Sequence, residues 1–213
     1  METSEPTRDR PTEGDHDHDH DPARESLRLC ERYVREVVLA FGLCPWAEPA
    51  LRQGRVARQV FCGGDVEPDA VLPAIDALEA TGVEPALDIG LFLFPDHVGG
   101  WVAFDAFAER VRRADRARRY SGAAPAFFVA AFHPDGPEAL PGPNRLTFFL
   151  RRSPDPMLQL VRSSTMDRLK SHQPDASETL AEATFAALDA DGGARARALS
   201  EAVRAIARDR RRG

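Results

Sequence analysis

The fold is decided by the stretch Leu87-Asp88-Ile89-Gly90-Leu91-Phe92-Leu93-Phe94, a near-continuous apolar run that Pro95 closes. A short apolar run of this kind is typical of a β-strand that is buried on both faces of a sheet. Strands of that type belong to sheets that carry helices on both sides. The run therefore predicts a central strand of an α/β sheet.

Two further apolar segments predict strands, Arg55–Cys62 and Ala126–Phe132, and helical periodicity lies between the three strands. The first intervening helix covers Asp69–Ala80, and the second begins near Trp101 and ends in a basic cluster by Arg119. Alternation of strand and helix favours parallel neighbours joined by right-handed crossovers. We therefore expect an α/β fold with a small, mainly parallel sheet of three to four strands and flanking helices.

The remaining segments predict an edge strand at Leu146–Leu150 and further helices. These helices cover Pro22–Phe41, Pro156–Lys170, Ser177–Leu188 and Ala194–Arg210, and a break at 191–193 separates the last two. We expect three regions along the chain: a disordered acidic tail at 1–22, a single α/β domain at 23–175 and a C-terminal helical extension at 176–213.

The composition is typical of a soluble globular protein, with 43% hydrophobic and 29% charged residues in a chain of 213. No apolar run approaches the roughly 20 residues of a membrane span, and the chain does not begin with a secretory signal pattern. Cys30, Cys44 and Cys62 are odd in number and far apart, as in proteins of the reducing cytoplasm. We therefore expect a cytoplasmic protein with no membrane partner.

The net charge of −6 comes entirely from the tail, where residues 1–22 contain eight acidic residues and two arginines. The rest of the chain is neutral, which makes nucleic acid an unlikely partner, despite the arginines between Arg112 and Arg119. Within the tail, His16, His18 and His20 alternate with aspartates. Such a tract can hold a divalent metal loosely, but a solvated terminal tail is the favoured interpretation.

A cysteine and a histidine are candidates for catalysis. Cys44 follows the first predicted helix and precedes Pro45, and with a nearby histidine it could act as a thiolate nucleophile. His133 follows the third predicted strand and could act as its general base. The structural alternatives are a buried small thiol and a histidine bonded to a loop carbonyl. No ligand spacing supports a metal site, and we predict no metal and no cofactor.

The segment Arg151-Arg152-Ser153-Pro154-Asp155-Pro156-Met157 predicts a helix start, because Ser153 or Asp155 can cap a helix whose first turn accepts proline. Free N–H groups at a helix start, beside the two guanidinium groups, would form an anion site. Arg152, Ser153 and Arg151 are therefore the candidate substrate-binding residues. The alternative is a plain helix cap beside two solvated arginines.

Three short motifs occur in a fixed order: Leu43-Cys44-Pro45-Trp46-Ala47, Phe132-His133-Pro134-Asp135 and Arg152-Ser153-Pro154-Asp155-Pro156-Met157-Leu158. In this order and spacing they resemble the bacterial domain-of-unknown-function family 1415, over roughly residues 25–175. The resemblance implies that Cys44, His133, Arg152 and Ser153 occupy positions shared by the family's motifs, but it implies no activity. The chain departs from the family pattern at Trp46, Arg151 and Asp155, where phenylalanine, asparagine and tyrosine are common.

Two functions fit these observations. The first is an enzyme that acts on a small anionic metabolite, with Cys44 as nucleophile or redox thiol, His133 as its base and Arg152 in an anion pocket. The second is a non-catalytic small-molecule-binding or scaffold domain whose motifs are structural. The oligomeric state is left open by the sequence.

Overall fold

The computed structural model describes residues 21–44, 46–81, 88–119, 123–136, 146–172 and 176–210. The predicted disordered tail at 1–22 lies outside these residues, except for Asp21 and Pro22. Those two begin helix α1 (Pro22–Tyr33), because the Asp21 carboxylate accepts a hydrogen bond from the Ala23 N–H at 3.0 Å. Pro22 suits the first turn, where its missing N–H is not needed. A π-helical segment, Val34–Leu39, continues α1.

The other elements follow in chain order: α2 (Ala47–Arg52), β1 (Val56–Val60), α3 (Pro68–Ala80), β2 (Ile89–Leu93), α4 (Trp101–Arg118), β3 (Phe127–Phe132), α5 (Leu146–Leu150), β4 (Met157–Arg162), α6 (Ser163–His172) and α7 (Ala176–Asp209). The strands β1, β2 and β3 and the helices α3 and α4 lie where the sequence predicts them. Helix α7 is interrupted at 190–193, where the φ angles of Asp191, Gly192 and Gly193 are 57°, 63° and 75°. The predicted break is therefore confirmed.

The four-stranded sheet has the order β1-β2-β4-β3, and β1 with β2 is its one parallel pair. Strand β4 is antiparallel to both neighbours, β2 and β3. The α/β class is confirmed, but the prediction of a mainly parallel sheet is wrong, because β4 returns between two strands that point the same way. Strands β1, β2 and β3 still share one direction, so their carboxyl ends lie at one edge of the sheet.

The segment predicted as a helix over Pro156–Lys170 begins instead with strand β4 and becomes helical only at Ser163. Ser153 and Asp155 are therefore not helix caps. The physical reason is the effect of proline on the residue before it: Pro154 and Pro156 restrict these two residues to extended backbone. Extended backbone leads the chain into a strand.

The predicted edge strand at Leu146–Leu150 is also wrong, because this segment is helix α5. Leu146 and Phe149 are three residues apart and both are buried, as on one face of a helix. Phe148, between them, is exposed.

The sheet buries one hydrophobic cluster on each face. On one face, Phe92, Leu158 and Leu160 pack with buried side chains of α3 and α4. On the other, Leu93 and Met157 pack with α1 and with the C-terminal part of α7. The predicted limits of the domain and of the helical extension stay a prediction.

Within the described ranges, no helix is both long enough and apolar enough to cross a membrane.

Candidate functional site

A cavity of about 580 Å³ lies on the sheet face that α1 covers. The sheet forms its floor, while the π-helical segment, α2, α5 and α6 contribute to its walls. Most of its lining is apolar and includes Val34, Val38, Ile89, Leu91 and Leu150. Two aromatic lining residues, Trp46 and Phe128, are 40% and 53% exposed, so the cavity opens to solvent beside them.

The strand register sets the shape of the cavity floor. Residues paired between β3 and β4 form three rows of side chains on this face: Phe132 with Met157, Ala130 with Gln159, and Phe128 with Val161. Because Ala130 has the smallest side chain in these rows, the middle row leaves the most space. Gln159 is the polar residue among these six, and it lies in the middle row.

An ion pair between Asp88 and Arg55 forms one part of the cavity lining. Asp88 is buried, pairs with the Arg55 guanidinium and accepts a hydrogen bond from Thr165 Oγ1 at 3.1 Å. All three residues line the cavity. Because a buried carboxylate with these partners is compensated, this cluster is a structural part of the wall.

Arg151 lines the cavity and is half-buried. Its guanidinium lies over the Phe148 ring at 5.6 Å and, among the described residues, makes no hydrogen bond or ion pair. Burial lowers the pKa of Arg151, an effect that Asp105 opposes from a distance and Arg112 reinforces. Within the part of the chain that the structure describes, the charge of this cationic group in the cavity is therefore only weakly compensated.

Cys44 also lines the cavity, but its environment does not favour a thiolate. Burial raises the pKa of the Cys44 thiol, and hydrogen bonds from the Trp46 and Ala47 backbone N–H groups only partly oppose this. A thiol whose pKa lies above its ordinary value of about 8.5 is protonated near neutral pH. The protonated form is a poor nucleophile.

His133 lies at the end of β3, is 3% exposed and does not line the cavity. Its Nδ1 accepts a hydrogen bond from the Asp135 N–H at 3.0 Å, and its Nε2 lies 3.2 Å from the Gly99 carbonyl oxygen. These partners assign the neutral tautomer that carries its proton on Nε2. Burial lowers the pKa of His133, and the opposing effects of Asp135 and the Gly99 carbonyl do not reverse the shift. The structure therefore does not bring His133 into the cavity with Cys44.

Arg152 and Ser153 are buried in the loop between α5 and β4. Arg152 Nη2 donates to the Gly136 carbonyl oxygen at 2.9 Å, and its guanidinium lies over the Phe149 ring at 5.2 Å. The Ser153 hydroxyl donates to the Asp155 backbone carbonyl. Neither residue lines the cavity, and their contacts hold the loop against its neighbours.

Asp155 does not neutralise Arg152. Its Oδ2 accepts hydrogen bonds from Ser26 Oγ at 2.6 Å and from Arg210 Nη2 at 2.8 Å. Burial raises the pKa of the Asp155 carboxyl, although Ser26 and Arg210 both favour the charged form. The carboxylate joins α1, the loop before β4 and the chain end that follows α7.

The arginines of the cluster at 112–119 mostly face acidic partners. Arg112 and Arg116 pair with Glu109, while Arg118 and Arg119 each pair with Asp115. This pairing leaves less free positive charge than the sequence suggests.

Sequence reasoning placed Arg151 among the binding residues but missed Gln159 and Asp88. The signal for Gln159 was its position between Leu158 and Leu160, a polar residue inside an apolar run. The helix that the sequence predicts over Pro156–Lys170 conceals this signal, because glutamine is a common residue in helices.

No curated protein matches the chain, and no solved structure matches it either. The model of the family described as "Protein of unknown function (DUF1415)" matches residues 25–197. This match agrees with the three motifs around Cys44, His133 and Arg152, and the chain belongs to that family.

Proposed function

We propose that this protein binds a small molecule with an apolar body and an anionic group, and that it does so without catalysis. The observation that carries the proposal is the half-buried Arg151 in a mostly apolar cavity of about 580 Å³. A cavity of that size is in the range of small-molecule sites.

The physical argument starts from the weakly compensated charge. Burial removes water from the Arg151 guanidinium and disfavours its charged form. An anion that contacts the guanidinium would stabilise that charged form again. Guanidinium and carboxylate or phosphate groups form charge-assisted, often bidentate hydrogen bonds. The apolar lining favours binding of the apolar body of the ligand, because each Å² of apolar surface removed from water contributes about 25 cal/mol to the binding free energy. Of the three candidate substrate-binding residues Arg152, Ser153 and Arg151, we therefore assign the anion contact to Arg151.

The environments of Cys44 and His133 support the non-catalytic alternative over the enzyme. Cys44 is held as a thiol by burial, and both ring nitrogens of His133 already have backbone partners. A nucleophile and its base must be within hydrogen-bond reach, and these two residues contact different parts of the fold.

Calorimetric titration with undecanoic acid tests the proposal. We expect binding to the wild type and roughly tenfold or greater weakening in Arg151→Met, which keeps the aliphatic stem and removes the charge-assisted hydrogen bonds. Arg113→Met is the matched control, because Arg113 is exposed on α4 and away from the cavity lining. Equal weakening in both variants would refute the proposal. Failure of the wild type to bind any long-chain carboxylate, with or without an amide inside its chain, would also refute it.

A further inference from the structure

Gln159 is a polar residue of the cavity lining that has no role in the proposed function. It lies on the central strand β4, in register with Leu91 on one side and Ala130 on the other. Its side chain is half-buried, lines the cavity and has no hydrogen bond to another described residue. Solvent can reach this amide, because the cavity is open beside Trp46 and Phe128. A ligand that fills the cavity would displace that solvent, and a polar group that is then buried without a partner is costly.

The backbone pairing indicates the order in which Arg151 and Gln159 lie along the cavity. The Arg151 carbonyl accepts a hydrogen bond from the His133 N–H at 3.2 Å, one residue beyond the pair Phe132 and Met157. That apolar pair therefore lies between Arg151 and Gln159, and successive rows on one face are about 7 Å apart. The row on the far side of Gln159 is apolar again.

The floor thus presents a cation, an apolar row, an amide and a second apolar row in sequence. We propose that the ligand is an anionic amphiphile with a hydrogen-bonding group inside its chain, an amide, keto or hydroxyl group, which Gln159 binds. This inference rests on the proposed function, since it concerns the same cavity. A purely aliphatic chain would remove water from the Gln159 amide without replacing its hydrogen bonds, and such a ligand is penalised.

Four probes with equal numbers of chain atoms test the inference by calorimetry. Undecanoic acid has no internal polar group, whereas N-octanoylglycine, N-hexanoyl-γ-aminobutyric acid and N-butanoyl-aminohexanoic acid carry an amide at successive positions. We expect at least one amide to bind the wild type about threefold or more tightly than undecanoic acid does. In Gln159→Met this preference should disappear, and undecanoic acid should bind at least as tightly as before.

Gln59→Met is the matched control, because Gln59 is an exposed glutamine on β1 that does not line the cavity. It should keep the amide preference, and thermal melting should show that both variants are folded. The inference is overturned if undecanoic acid binds the wild type more tightly than all three amides, or if Gln159→Met keeps the preference. In both of these cases undecanoic acid still binds and the proposed function stands. If none of the four probes binds the wild type, the proposed function is refuted, and this inference with it.

Discussion

At the scale of single residues, Arg151 and Arg152 are neighbours with different environments. Arg151 lines the cavity, while Arg152 is buried against Gly136 and Phe149. The Arg152 N–H donates to the Leu150 carbonyl oxygen at 2.8 Å, so the backbone turns tightly between the two side chains. One of two adjacent arginines is thus available to a ligand, and the other holds a loop.

His133→Asn tests whether His133 is structural. An asparagine oxygen can still accept from the Asp135 N–H, but the bond to Gly99 is lost, so we expect the free energy of unfolding to fall by about 1–2 kcal/mol near pH 7. The wild-type pKa of His133 is depressed by burial, so the folded state binds this proton less tightly than the unfolded state. The contribution of this pKa shift to the stability of the wild type is therefore fully present above about pH 6.5. It is lost as the pH falls towards the pKa of the folded state.

The variant should lack that part of the pH dependence, and urea unfolding between about pH 5 and 8 measures it. His97, whose pKa is also lowered by burial, is unchanged in the variant and should still contribute its own part of the pH dependence. An unchanged free energy of unfolding in His133→Asn, with the same pH dependence as the wild type, would contradict a structural role.

Gln159→Met provides a second test at this scale, without any ligand. Replacing a half-buried amide that has no partner among the described residues by an apolar side chain of similar length should raise the free energy of unfolding by about 1 kcal/mol. Such a gain would indicate that Gln159 is retained for binding at the expense of stability. Chemical denaturation measures the change, and a loss of stability would show that the amide is already well paired.

The sequence reveals which residue types are present, but not the direction in which they point. His133 was correctly placed after a strand, yet its two backbone partners come from Asp135 and from Gly99, a residue far away in the chain. Cys44 was correctly placed in a loop after the first helix, but whether a base lies near it depends on tertiary structure.

At the scale of elements, the end of α7 is held by a buried carboxylate. Arg210 Nη2 donates to Asp155, and Arg32 pairs with Asp209 one residue earlier. Because Asp155 is 4% exposed, removing its arginine partner leaves a buried carboxylate whose remaining hydrogen-bond partner, among the residues that the structure describes, is Ser26.

Arg210→Met should therefore lower the free energy of unfolding by about 1–3 kcal/mol near pH 7 and speed amide exchange over 194–210. The pKa of Asp155 is already raised by burial, so its ionisation opposes folding as pH rises above about 4. The destabilisation should consequently shrink at acidic pH, where the carboxyl is protonated. Arg208→Met, an exposed position on the same helix, is the control, and equal exchange rates in the two variants would contradict this account.

The elements that the sequence predicts well are those with one dominant signal. Helix α4 and strands β2 and β3 have clear periodicity or continuous apolar character. The errors concern segments whose signals conflict: α5 is rich in residues that favour strands, and β4 follows two prolines that also fit a helix start. Packing against the sheet decides both cases, and packing cannot be read from a short window of sequence.

At the scale of the whole molecule, the position of β4 creates the cavity floor. Inserted between β2 and β3, it places Met157, Gln159 and Val161 on the face that α1 covers. The mainly parallel sheet of three to four strands that the sequence predicts, with any fourth strand at its edge, would lack this central strand. The order of strands depends on long-range pairing, which the alternation of elements does not specify.

A crystal structure of the protein with undecanoate bound is the most direct test of the central claim. The account predicts a ligand chain along the floor formed by Met157 and Gln159, with its carboxylate within hydrogen-bond distance of the Arg151 guanidinium. A carboxylate bound at the loop of Arg152 and Ser153, or a chain bound outside the cavity, would contradict it.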